Sequence, residues 1–208
     1  GRRAARKSRM RRRLLIALLA LAVMGLVGTL LGALLLPRLL LQAHVPPRTE
    51  GDREAIRARL PGRWTRHQVP GGQAVPLEVW WLHRTEPRGV AVLLHGFGDD
   101  AWGTVPRAAD LPGWDVVAFT FRGRDRHPEV PSTLGGHERW DAVAVACFVE
   151  GQGIPRSRMI LVAASQGAGV ALLALEHLER EGPPLAGALL ESPYRDLKDA
   201  ARQHVRGT

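Results

Sequence analysis

A single cysteine, Cys147, in a chain of 208 residues excludes an intramolecular disulfide framework and any cysteine-rich zinc site. It lies in the apolar run 142–149, so a small buried thiol is expected there. The histidines are scattered, and there is no HExxH or paired-carboxylate spacing, so the sequence offers no metal constellation. It also lacks a GxGxxG or Walker loop, and no phosphate-bearing or other cofactor is expected. Internal repeats and low-complexity blocks are missing, and 45% hydrophobic against 24% charged residues excludes a disordered chain.

Acidic side chains are missing from the first 13 residues, which hold Arg2, Arg3, Arg6, Lys7, Arg9, Arg11, Arg12 and Arg13. These eight account for most of the net charge of +9, leaving +1 for residues 14–208. The basic balance is therefore a tail and not a nucleic-acid-binding face, and no nucleic-acid partner is expected. The chain opens on Gly1, so Met10 is an alternative start; Arg11 to Arg13 follow it in either case.

Charge is missing altogether from Leu14 to Leu36. At 1.5 Å per residue a helix of that length spans a bilayer core of about 30 Å. A cleavable signal usually has an apolar core of about 7–15 residues and a small-x-small cut. Here the run is longer, and a cut after Ala43 would put Leu41 at the −3 position, so an uncleaved anchor is favoured over a cleaved signal. The basic cluster on its N-terminal side predicts a cytoplasmic N-terminus and an external C-terminal domain. Gly28 and Gly32 form a small-xxx-small pair of the kind that lets membrane helices pack. Residues 37–63, punctuated by Pro37, Pro46, Pro47, Pro61 and Gly62, read as a linker with one short surface helix over 50–60.

From Trp64 onward short apolar runs alternate with Gly and Pro. Trp64–Val69 and Pro76–His83 around Pro70-Gly71-Gly72 predict a hairpin. Val90–Leu94, Asp115–Phe121, Met159–Ala163 and Leu185–Leu190 read as buried strands. Helix-length segments near 100–110, 137–150, 167–181 and 196–205 separate or follow them. This alternation predicts an α/β fold with a mostly parallel sheet over residues 64–208.

Ser165 stands in Ala163-Ala164-Ser165-Gln166-Gly167, between a predicted strand and a small-residue helix start. A serine at the apex of so sharp a turn is a nucleophile elbow, and its backbone requires small residues two positions away. Ala163 and Gly167 meet that need, Ala163 standing where glycine is usual. His95-Gly96 closes the strand Val90–Leu94 and would bring a backbone N–H beside the serine, with the N–H of Gln166 as second donor to an oxyanion. His95 is expected to bond backbone. Asp99 and Asp100 are expected to cap the next helix, and Glu138 and Asp141 to cap and anchor a loop. The pair Trp80-Trp81 reads as sheet and core.

HGFGDD (95–100), FRGRD (121–125), TLGGHERWD (133–141), AASQGAG (163–169) and LLESPYRDL (189–197) resemble the α/β-hydrolase superfamily, nearest its serine aminopeptidase and monoacylglycerol lipase-like branch. The resemblance implies an eight-stranded sheet and a serine–acid–histidine triad, with Ser165 as nucleophile and Phe97 and Gln166 supplying the oxyanion N–H groups. His95, Gly96, Ala163 and Gly167 support the motif. The resemblance places the acid after the seventh strand and the histidine after the eighth, whereas Thr208 falls just after the sixth. A C-terminally truncated chain with an exposed apolar sheet edge is therefore expected, inactive by itself. His204 as a makeshift base and Asp196 as the acid are the weaker options within these residues. The implied activity is hydrolysis of a small or lipid-like ester, thioester or amide at a membrane. The alternative is a non-catalytic binding or scaffold protein on the same fold.

Overall fold

The computed structural model describes residue 16, residues 18–35, 48–124, residue 130 and residues 132–193. The predicted helix at 196–205 and the residues Asp196, His127 and His204 lie outside the described residues, as do the basic tail and the Pro-rich stretch 37–47. The chain divides into two units, Gly1–Leu41 and Gln42–Thr208.

In the first unit, helix α1 (Leu18–Leu35) has a mean hydropathy of 2.5 and is exposed along its whole length. It is long and apolar enough to cross a membrane. Its one hydroxyl, on Thr29, donates to the Gly25 carbonyl at 2.8 Å, so the helix itself satisfies that polar group.

The second unit begins with helix α2 (Glu50–Arg57). A capping box starts it: Asp52 N–H donates to Thr49 Oγ1, and Thr49 N–H to Asp52 Oδ2. The Arg57 guanidinium lies over the rings of Trp80 and Trp102, 5.4 and 5.6 Å from their centroids. Leu60, just beyond the helix, is buried in the core. The packed body of this unit thus reaches back into residues that composition alone assigns to a linker.

Six strands form one sheet in the order β1-β2-β4-β3-β5-β6. The hairpin of β1 (Arg63–Pro70) and β2 (Pro76–His83) is antiparallel, and β2 pairs antiparallel with β4 (Asp115–Phe119). β3 (Val90–Leu94) runs parallel to both β4 and β5 (Met159–Ala164), and β5 parallel to β6 (Gly187–Glu191). The fold class expected from the alternating pattern is the one observed. Every residue of β3 and β4 is buried, as continuous apolar runs require when both faces are covered. Val90, Val92 and Leu94 face one layer, packed under helices α4 (Glu138–Gly151) and α5 (Gln166–Glu181). Ala91 and Leu93 face the other, under α3 (Ala101–Thr104) and the 3₁₀ turn that continues it. β4 stops at Phe119, two residues earlier than predicted, and the chain turns at Gly123 with φ 75°. Leu189 on β6 is 56% exposed.

The expectation of a buried Cys147 is wrong. Its thiol is exposed. The run 142–149 is helical, so its residues distribute around α4. Ala142, Val145, Ala146 and Val149 face the core while Cys147 points away.

Candidate active site

β5 and α5 meet at Ser165, which is exposed and sits at φ 51°, ψ −116°. That is strained backbone for a non-glycine residue. Three contacts over-determine it. Ser165 N–H donates to the Glu191 carbonyl at 2.9 Å, and its own carbonyl accepts from Ala168 and Gly169 at 3.0 and 3.2 Å. The third is steric. A Cβ on Gly167 would lie 2.4 Å from the Leu94 carbonyl oxygen and 2.7 Å from that of His95. Only glycine lets α5 rest directly on the end of β3. Ala163, two positions before the serine, is buried between Leu94 and Leu190, and its methyl is accommodated there.

The His95–Gly96 turn lies against this apex: a Cβ on Gly96 would be 3.7 Å from Ser165 Cβ. Gln166 opens α5, and the N–H groups of a helix's first turn have no acceptor within the helix. Phe97 is 44% exposed, with the buried Arg124 guanidinium 4.7 Å from its ring centroid. Ser165, Gly96, Phe97 and Gln166 are therefore brought to one end of the sheet, at the C-terminal edges of β3 and β5.

His95 is fully buried and its ring is held by main chain. Nδ1 lies 2.8 Å from the Gly96 carbonyl, and Nε2 accepts the Phe121 N–H at 3.0 Å. Nε2 therefore carries no proton, and Nδ1 is the donor. Burial pushes this imidazole down to about 4, so it is neutral near pH 7. Among the described residues no histidine bonds the Ser165 hydroxyl. His137 precedes α4, His177 stacks edge-on against Trp140, and His67 and His83 share Thr65 Oγ1 on the hairpin.

Asp100 caps α3, accepting from Gly103 N–H at 2.9 Å, and Asp99 accepts from Asp100 N–H. Trp80 and Trp81 are buried sheet residues. Glu138 is wholly buried and receives Ser132 Oγ, Thr133 Oγ1 and the N–H groups of Thr133 and Gly135 at 2.7–2.8 Å. Burial alone would push its carboxyl up, but these donors outweigh that and hold it below the usual carboxylate range. Asp141 instead pairs with Arg122, both essentially inaccessible, at 2.5 and 2.9 Å, and also accepts from Gly72 N–H. Sequence reading assigned no role to Ser132 or to the Arg122 side chain, and gave Gly72 only a place in the hairpin turn. A hydroxyl pair shortly before a first-turn glutamate was the available signal for Ser132.

The sequence profile of the Alpha/beta hydrolase family matches residues 91–207. The chain belongs to this family. A curated relative from Streptomyces hygroscopicus, named an acetyl-hydrolase, is 38% identical over 150 residues, which is 66% of this chain and 48% of the relative. The chain thus spans about half the length of that protein. Among solved structures, a Pyrococcus furiosus esterase superposes with a TM-score of 0.62 at 20% identity, covering 79% of this chain and 61% of the esterase. A bacterial heroin esterase superposes with a TM-score of 0.54 at 21% identity, covering 74% and 54%. Both likenesses concern the fold.

Proposed function

We propose that this chain is part of a membrane-anchored serine hydrolase that cleaves a small or lipid-like ester, thioester or amide through an acyl-enzyme on Ser165. The observation that carries the reading is the exposed serine in a left-handed turn, packed against the His95–Gly96 turn. The curated relative's name favours an ester of a short acid among these substrates.

Ser165 Oγ attacks the carbonyl carbon while a base takes its proton. The carbonyl oxygen becomes an oxyanion between the N–H groups of Phe97 and Gln166. Removing one such donor typically costs about 2.7–4 kcal/mol of transition-state stabilisation. Collapse of the intermediate expels the alcohol, thiol or amine, which takes the proton from the base. Water then repeats the cycle, releasing the acid and restoring the hydroxyl. His95 is not that base, because both its nitrogens are engaged by main chain. The family resemblance supplies the base as an imidazole paired with a carboxylate. α1 supports anchoring by its length and composition, and the basic residues before it favour an external hydrolase domain.

The test is fluorophosphonate labelling of membranes carrying the intact gene product. A label on the wild type that disappears in Ser165→Ala is expected. A folded wild type that takes no label supports instead the binding or scaffold role.

A further inference from the structure

A run of hydrogen bonds begins at Glu138 and ends on the residue after Ser165. Four donors from residues 132–135 converge on the buried Glu138 carboxylate. They hold Leu134 between them at φ 53°. Ser132 has one hydroxyl proton and gives it to Glu138 Oε1 at 2.8 Å. Toward its other neighbours the same oxygen can only accept. Those neighbours are Leu134 N–H and the Gln166 side-chain Nε2, each at 3.4 Å. The charge on Glu138 thereby decides which end of the Gln166 amide faces Ser132. Gln166 is 3% exposed, and its Oε1 has no hydrogen-bond partner among the described residues. Within those residues the Ser132 contact is what orients the amide.

We propose that Glu138, acting through Ser132, is a positioning residue for the Gln166 oxyanion donor. The proposal rests on Ser165 being the nucleophile. Gln166 opens α5, so its side chain ties the first turn of that helix, which carries the Gln166 N–H, to the 132–135 loop. Glu138 touches no reacting atom. Replacing it by glutamine turns an NH2 group against the N–H of Thr133 or of Gly135, whichever way the amide sits, and so loosens the loop that holds Ser132 against Gln166.

The experiment uses the intact gene product in detergent and a fluorophosphonate. Attack by Ser165 builds charge on the phosphoryl oxygen where the oxyanion would sit. Small displacements of a positioned group cost up to about a hundredfold in rate. Ser132→Ala and Glu138→Gln are therefore expected to slow labelling at saturating probe by about ten- to hundredfold, with the half-saturating concentration unchanged. The ³¹P resonance of the phosphonylated serine should move in both variants. Ser132→Thr, which keeps the hydroxyl, should restore rate and resonance. Variants that label at the wild-type rate with an unmoved resonance overturn the proposal, while loss of label in Ser165→Ala leaves the nucleophile standing. An unlabelled wild type overturns the nucleophile, and the proposal with it. If Glu138→Gln does not fold, Ser132→Ala decides alone.

Discussion

Acidification should destabilise the α/β-hydrolase domain through His95. The folded ring accepts the Phe121 N–H at Nε2, so a proton there would face a donor across 3.0 Å in a fully buried site. In the unfolded chain the imidazole protonates near its ordinary 6.5, and in the folded chain only near 4. Between these values the unfolded state binds the extra proton. The stability contribution is therefore complete above 6.5 and lost as pH falls toward 4. Each pH unit in that window is worth about 1.4 kcal/mol, roughly 3 kcal/mol in all, against a typical total of about 5–15 kcal/mol. His83, also lowered by burial, acts in the same direction in wild type and variant alike. Glu138, held below 4.5, acts at lower pH. Urea unfolding of the intact chain in detergent, followed by tryptophan fluorescence from pH 7.5 to 4.5, measures the loss. His95→Gln should be less stable at pH 7.5 yet fall less steeply, so the two curves converge on acidification. Parallel curves would refute the assignment of this window to His95.

Four further outcomes follow from packing and exposure. Gly167→Ala, whose methyl would meet two main-chain oxygens of β3 and the following turn, should cost about 3 kcal/mol or more in a thermal melt. Gly96→Ala has room, with its nearest neighbours at 3.7 Å, and should leave the melt nearly unchanged while slowing fluorophosphonate labelling of Ser165. Asp141→Asn strands the buried Arg122 guanidinium and should cost about 3–5 kcal/mol in urea, with much of that recovered by pairing Asp141→Leu with Arg122→Met. Cys147 should react with a maleimide in the folded chain, without denaturant, to one label per molecule.

The strands were legible because burial on both faces writes itself as uninterrupted apolar runs: Val90–Leu94 is observed with the predicted bounds. Ser165 was legible because a tight strand-to-helix turn demands small neighbours, and Gly167 shows the demand in distances. Cys147 was misread because an apolar run long enough for a helix does not reveal which residues face outward. The hold of α2 on the domain was hidden because it works through Arg57 stacking on Trp80 and Trp102, and arginines in a proline-punctuated stretch read as solvated. The pairing of Arg122 with Asp141 joins residues with no periodic relation in the chain, so no local pattern announces it.

That pair also bears on how long the native state lasts. Arg122 reaches back 50 positions to the Gly72 carbonyl, and Asp141 reaches back 69 to the Gly72 N–H. A clasp among the hairpin turn, the end of β4 and the first turn of α4 can close only after all three have docked. It should therefore be open in the folding transition state, so that loosening it hastens escape from the native state and leaves the speed of refolding almost untouched. The clasp would then set the protein's working lifetime more than its ease of assembly.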